Sequence, residues 1–212
     1  MKNTLPGVFC ALLLTTTVAV ADINSDILEV QHRWARANYE TPASEQERVF
    51  GELVADARKL VERYPESAES RIWLAIILST DAGVNGGLGA LGKVREARKL
   101  LEAAERINPD ALDGSIYTSL GSLYYQVPGW PIGFGDGKKA GYYLNKALSI
   151  NPDGIDPNYF YGDFMLEEGN YAEAVRFLEK ARAAAPRPER PLADKGRRAE
   201  IDLKLQQARK KL

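Results

Sequence analysis

The sequence predicts an all-α solenoid of about four stacked helix pairs, closed by one further helix at the C-terminus. Three observations lead there. The pattern Ala-x3-Leu-x2-Ala-x4-Pro occurs three times: Ala97, Leu101 and Ala104 before Pro109; Ala140, Leu144 and Ala147 before Pro152; Ala174, Leu178 and Ala181 before Pro186. Offsets of four and three keep these residues on one helical face, and proline ends the helix because it has no N–H to continue the ladder. Ahead of each copy stands a second apolar cluster with a small residue at its centre: Leu74-Ala75 with Leu78, then Tyr117, Leu120-Gly121 and Tyr124, then Tyr161-Gly162 with Met165. Gly or Ala removes bulk where two antiparallel helices cross. Finally, no strand-like alternation of useful length appears in the chain.

The elements follow in order. Residues 1–21 read as a cleavable export signal, a segment apart from the fold. Lys2 is its positive start, 5–18 its apolar run, and Ala19-Val20-Ala21 its small-x-small site before Asp22. The run is shorter than the roughly 20 residues of a membrane span and is diluted by Thr15, Thr16 and Thr17, so no stable anchor is expected after cleavage. Cys10 lies inside the apolar run behind Val8-Phe9, without the small residues that a lipidated cysteine needs before it. Cleavage removes this single cysteine, and a cysteine-free exported chain fits a bacterial periplasm or secretion.

Helices are expected at about 23–39, 44–64, 68–80, 91–107, 114–126, 137–150, 156–168 and 171–184, giving a helical domain over 22–186. A fainter copy of the pattern, Leu53, Ala57 and Leu60 before Pro65, marks the second of them. The remaining segment, 187–212, holds a Pro-Arg-Pro-Glu-Arg-Pro linker and a ninth helix at about 190–210. Its apolar stripe is Ile201, Leu205, Ala208 and Leu212, and its other face carries Arg, Lys and Gln. Such a helix caps the open core face of a terminal repeat.

These patterns resemble the tetratricopeptide repeat (TPR) family, with its W-x2-L-G-x2-Y…A-x3-F-x2-A-x4-P signature. The unit from Ile155 to Pro186, with its Gly169-Asn170-Tyr171 turn, is the cleanest; the unit from Gly114 to Pro152 carries every signature position with Leu144 in place of Phe; the units before Pro109 and Pro65 are degraded. The resemblance implies a concave face lined by the first helix of each pair. Groove positions are then Glu69, Ile72, Ile76, Ser79 and Thr80, followed by Ser115, Thr118, Ser122, Tyr125 and Gln126, and by Asp156, Tyr159, Asp163, Leu166 and Glu167. That surface is polar, aromatic and mildly acidic, and it lacks the Lys/Arg/Asn set with which chaperone-binding relatives clamp a terminal carboxylate.

The prolines at 65, 109, 152 and 186 are 44, 43 and 34 residues apart, and only the last interval is the family's period. The excess lies in two glycine-rich inserts, 83–92 and 127–137, at equivalent places in adjacent units, so both are expected to project from one edge. The second holds Trp130, Ile132 and Phe134 among prolines and glycines. Leaving such side chains in water is costly, so they fold back on the repeat or meet a partner.

Other chemistries find little support. Lys+Arg 28 against Asp+Glu 29 argues against phosphate neutralisation, hence no nucleic acid. Gly87-Leu-Gly-Ala-Leu-Gly92 matches a dinucleotide-binding spacing, but a helix precedes it instead of a strand, and Val94 stands where a nucleotide loop needs a hydroxyl. The glycines have a simpler reading as a helix-to-helix turn with positive φ. One histidine, His32, makes neither a metal set nor a triad, so no cofactor, metal or catalytic residue is assigned.

The expected function is therefore a non-catalytic periplasmic scaffold that binds a protein or peptide partner in the concave groove. Ser122, Tyr125, Trp130, Phe134, Tyr159 and Asp163 are its binding residues, since 13 of the 19 aromatics fall between Tyr117 and Phe177. The alternative is an accessory subunit of a periplasmic TRAP-type solute-uptake system, whose exported TPR component the layout of degenerate repeats and Gly-rich inserts resembles.

Overall fold

The computed structural model describes residues 22–212. The export signal read at 1–21, with Cys10, lies outside the described residues.

Among the described residues the chain forms nine helices: α1 (Ile23–Tyr39), α2 (Ala43–Arg63), α3 (Ala68–Asn85), α4 (Gly87–Ile107), α5 (Ser115–Gln126), α6 (Gly137–Ile150), α7 (Ile155–Glu167), α8 (Tyr171–Ala183) and α9 (Pro191–Arg209). Their ends follow local chemistry. The Asp22 carboxylate accepts from the Asn24 N–H at the start of α1, Ser67 accepts from Ser70 at α3, and Asp136 accepts from Lys138 and Lys139 at α6. Each thereby satisfies donors that a first helical turn leaves open. Helices α4 and α6 stop immediately before Asn108-Pro109 and Asn151-Pro152, because the residue before a proline is driven out of helical geometry.

Antiparallel hairpins α3/α4, α5/α6 and α7/α8 are the broadest packing units, and successive hairpins stack through α2 on α3, α4 on α5 and α6 on α7. The alanine–leucine stripes form their seams. Ala97, Leu101, Ala104, Ala140, Leu144, Ala147, Ala174, Leu178 and Ala181 are all fully buried. The crossing points are as tight as the small residues imply. A Cβ on Gly121 would stand 2.5 Å from Leu144 Cγ, and one on Gly162 would stand 2.8 Å from Leu178 Cγ. An all-α solenoid of helix pairs with a terminal helix is thus what the chain forms.

Three local readings change. The insert at 83–92 is helix: α3 runs on to Asn85 and α4 begins at Gly87, leaving Gly86 (φ +55°) and Gly87 (φ +72°) to make the turn. No proline interrupts the segment, and Asp81, buried in α3, pairs with Lys93 of α4 at 2.7 Å across the lengthened hairpin. The second insert is a true loop, closed by an isolated bridge between Gly129 and Gly135. In α9, Ile201, Leu205 and Ala208 are buried against Ala174, Leu178 and Ala181 as a cap requires, but Leu212 lies beyond the helix and is exposed.

The cap also travels further than the last repeat. Helix α9 crosses from α8 over α7 to α1, so the two ends of the superhelix touch. His32 of α1 donates from Nε2 to the Glu189 carbonyl at 2.6 Å, and Gly196 sits against the Tyr39 ring with no room for a Cβ.

Candidate functional site

Because α9 crosses the concave face, part of the predicted groove lies beneath it. Tyr159 and Asp163 are buried. Arg197 stacks on the Tyr159 ring at 4.3 Å, and Lys204 pairs with Asp163 at 2.6 Å. Tyr125 donates its hydroxyl to the other Asp163 oxygen at 2.7 Å. Burial, with the Asp163 charge beside it, pushes the Tyr125 phenol well above its ordinary range, so it remains a donor. Tyr125, Tyr159 and Asp163, expected on an open groove, instead tie α5 and α7 to α9. The physical reason is that α9 brings cations to the acidic and aromatic surface of the repeats.

What α9 leaves open is a chamber of about 310 Å³ between it and α1, α3, α5 and α7. Ser122 lines it, alone among the six predicted binding residues. The aromatic wall is Trp34, Trp73 and Phe160, with hydroxyls from Ser119 and Ser122 on α5. Trp34 spends its indole N–H on Thr80 at 2.9 Å, whereas Trp73 Nε1 is buried with no partner.

Three arginines from the linker and α9 complete the lining: Arg187, Arg190 and Arg197. Asp156, at the start of α7, bridges two of them, accepting from Arg187 at 2.6 Å and Arg197 at 2.9 Å. Asp194 binds the Arg187 backbone N–H at 2.7 Å and its Nε at 2.6 Å, and Glu200 takes Arg197 at 2.5 Å. Burial alone would raise the Asp156 carboxyl, but Arg197, Arg187 and Arg190 outweigh it and hold it well below the carboxylate range. Burial would likewise depress Arg197, and Asp156 and Glu200 reverse that. Arg190 differs. Burial and the neighbouring Arg187 lower it. Its Nε is buried with no hydrogen-bond partner, and its contact is the Trp73 ring at 5.1 Å.

The second insert forms a rim loop packed on α4 and α5, and none of its residues lines the chamber. Phe134 folds back edge-on to Tyr124, centroids 5.6 Å apart, with Arg98 of α4 over its other side at 4.4 Å. Arg95 reaches the Ile132 carbonyl at 3.3 Å. The backbone is packed too closely at Gly133 and Gly135 to admit a side chain. On this fixed loop Trp130 is 90% exposed and Ile132 60% exposed. The insert therefore divides: Phe134 is an anchor, while Trp130 and Ile132 face outward.

Among the described residues no three His, Cys, Asp or Glu side chains stand together as a metal would need, and no helix is long and apolar enough to cross a membrane. Residues 132–193, from the rim loop to the start of α9, match the tetratricopeptide repeat family model. A search of curated proteins gives no match. Among solved structures, a thermophilic TPR protein of Thermus thermophilus is 21% identical, with a TM-score of 0.56 over 83% of this chain and 89% of that one. Residues 132–193 thus carry the tetratricopeptide repeat match, and the solved neighbour shares the fold. Tetratricopeptide repeats generally mediate protein–protein interactions.

Proposed function

We propose that the protein is a non-catalytic scaffold of the bacterial periplasm that docks a protein partner on the rim formed by residues 127–136. The observation that carries this reading is Trp130, 90% exposed on a loop pinned from beneath. A large aromatic on a fixed backbone spares the cost of ordering the loop on binding, and tryptophan is a frequent interface anchor. An extended peptide lying along the concave face would have to displace α9 from Tyr159 and Asp163, which favours the rim over the groove. The periplasmic location rests on the export signal read at 1–21.

The test is capture of partners from a periplasmic extract. Trp130→Ala with Ile132→Ala is expected to lose the partner while Tyr125→Ala with Tyr159→Ala, if folded, keeps it. The opposite result would move the interface back to the groove.

The chamber under α9 favours a second reading, an accessory subunit of a TRAP-type solute-uptake system. That reading expects a defined ring-shaped oligomer by light scattering, and a strict monomer would count against it.

A further inference from the structure

We infer that the chamber under α9 binds a small monocarboxylate with an apolar, ring-sized body, its carboxylate seated on Arg190. This inference does not depend on the partner surface at the rim.

Arg190 is the starting point. By count, Asp156, Asp194 and Glu200 balance the three guanidiniums, yet their bonds go to Arg187 and Arg197. Among the described residues no carboxylate lies within ion-pair range of Arg190. A guanidinium cannot shed its proton, so a half-buried one keeps five donors that need acceptors. Nε is fully covered, so an incoming acceptor would meet the two Nη groups. A carboxylate matches the planar fork with two parallel bonds.

The position suits a ligand. Arg190 lines the 310 Å³ chamber and also two adjoining cavities, of about 410 and 230 Å³. Its place is held from both sides. Its N–H donates to the Arg187 carbonyl at 2.9 Å, and its own carbonyl accepts from Asp194 at 3.0 Å.

The rest of the lining selects the ligand's class. One unpartnered guanidinium suits one negative charge, and a doubly charged phosphate would meet Asp156 without a second free cation. Trp34, Trp73, Ile76 and Phe160 offer an apolar and aromatic wall. The Ser119 and Ser122 hydroxyls lie beside it with no hydrogen bond of their own. The chamber itself lies near the lower bound for small-molecule sites and matches a ring-sized body.

The experiment is calorimetric titration of the full chain with 3-phenylpropionate, with its neutral amide and with inorganic phosphate, paired with thermal melts. The carboxylate is expected to bind and raise the Tm, and the amide and phosphate are expected to do neither. Arg190→Leu should weaken carboxylate binding roughly tenfold to a hundredfold, the effect of losing a charged hydrogen-bonding partner. Because Arg190 also helps to neutralise Asp156, the variant is judged by carboxylate binding of the folded protein and not by its ligand-free melt, and a purely structural arginine would leave that binding unchanged. Ser122→Ala keeps the wall and removes one donor, so a smaller loss is expected. It serves as the readout if Arg190→Leu does not fold. Equal binding of acid and amide, preference for phosphate, no binding of the acid, or full binding by the variants would each overturn the inference.

Discussion

The two glycine-rich inserts occupy the same place in adjacent repeats and have opposite fates. Residues 83–92 continue two helices and leave a turn of two glycines, whereas 127–136 breaks the helix and builds a compact loop. Glycine content does not separate them. What separates them is proline and capping. Val127 precedes Pro128 and takes extended geometry, and Asp136 restarts the chain by capping α6. The first insert has neither device, and its lengthened hairpin buries Asp81 against Lys93. The two are also coupled, because Arg95 and Arg98, which hold the second loop, stand on the α4 that the first insert lengthens.

The sharpest way to break this contrast is Gly135→Ala. A Cβ there would lie 1.9 Å from the Val127 carbonyl oxygen, which is backbone and has nowhere to retreat. The loop must open, and Phe134 loses its seat on Tyr124. Overpacking of this kind costs about 3 kcal/mol, or roughly a 10 °C fall in Tm for a chain of this size. A melt within a degree of the parent would mean that the loop is held by something other than its backbone contacts.

A smaller effect is expected from Asp136→Ala. Two N–H groups at the start of α6 lose their acceptor, at a cost of about 1 kcal/mol. Amide exchange should accelerate at Lys138 and Lys139 and leave α8 unchanged. Uniform acceleration across the chain would place the cap in the global stability instead of the loop's restart.

The same contrast explains what could be read in the sequence. The seams were legible because each repeat states them again, and Ala140, Ala147, Ala174 and Ala181 are buried as their spacing predicts. The helical fate of 83–92 was not, since glycine permits either outcome and the deciding contact, Asp81 to Lys93, is tertiary. The six predicted binding residues came from the first helices of the repeats and the second insert, each taken alone. The course of the linker and α9 then covered Tyr159 and Asp163 and supplied the arginines. One signal for the chamber was present. Ile201, Leu205 and Ala208 continue backwards, at spacings of four and three, to Arg197, Asp194 and Arg190. A core-facing stripe that turns charged marks a helix whose first half faces a buried polar site. Asp194 and the Arg197 side chain are indeed nearly covered, 5% and 11% exposed.

The mildest change sharpens the contrast by reversing its sign. Gly92 lies inside α4, exposed, where an added Cβ would find no atom within 4 Å and the backbone has no positive φ. Alanine there meets no neighbour and restricts the unfolded chain, so Gly92→Ala should stabilise by about 0.5–1 kcal/mol, a rise of roughly 2–3 °C. The two substitutions, each glycine to alanine in equivalent inserts, are then expected to move the melt in opposite directions. If Gly92→Ala destabilised the protein, the extension of α4 would not be a regular helix, and Arg95 and Arg98 would lose the platform from which they hold the rim.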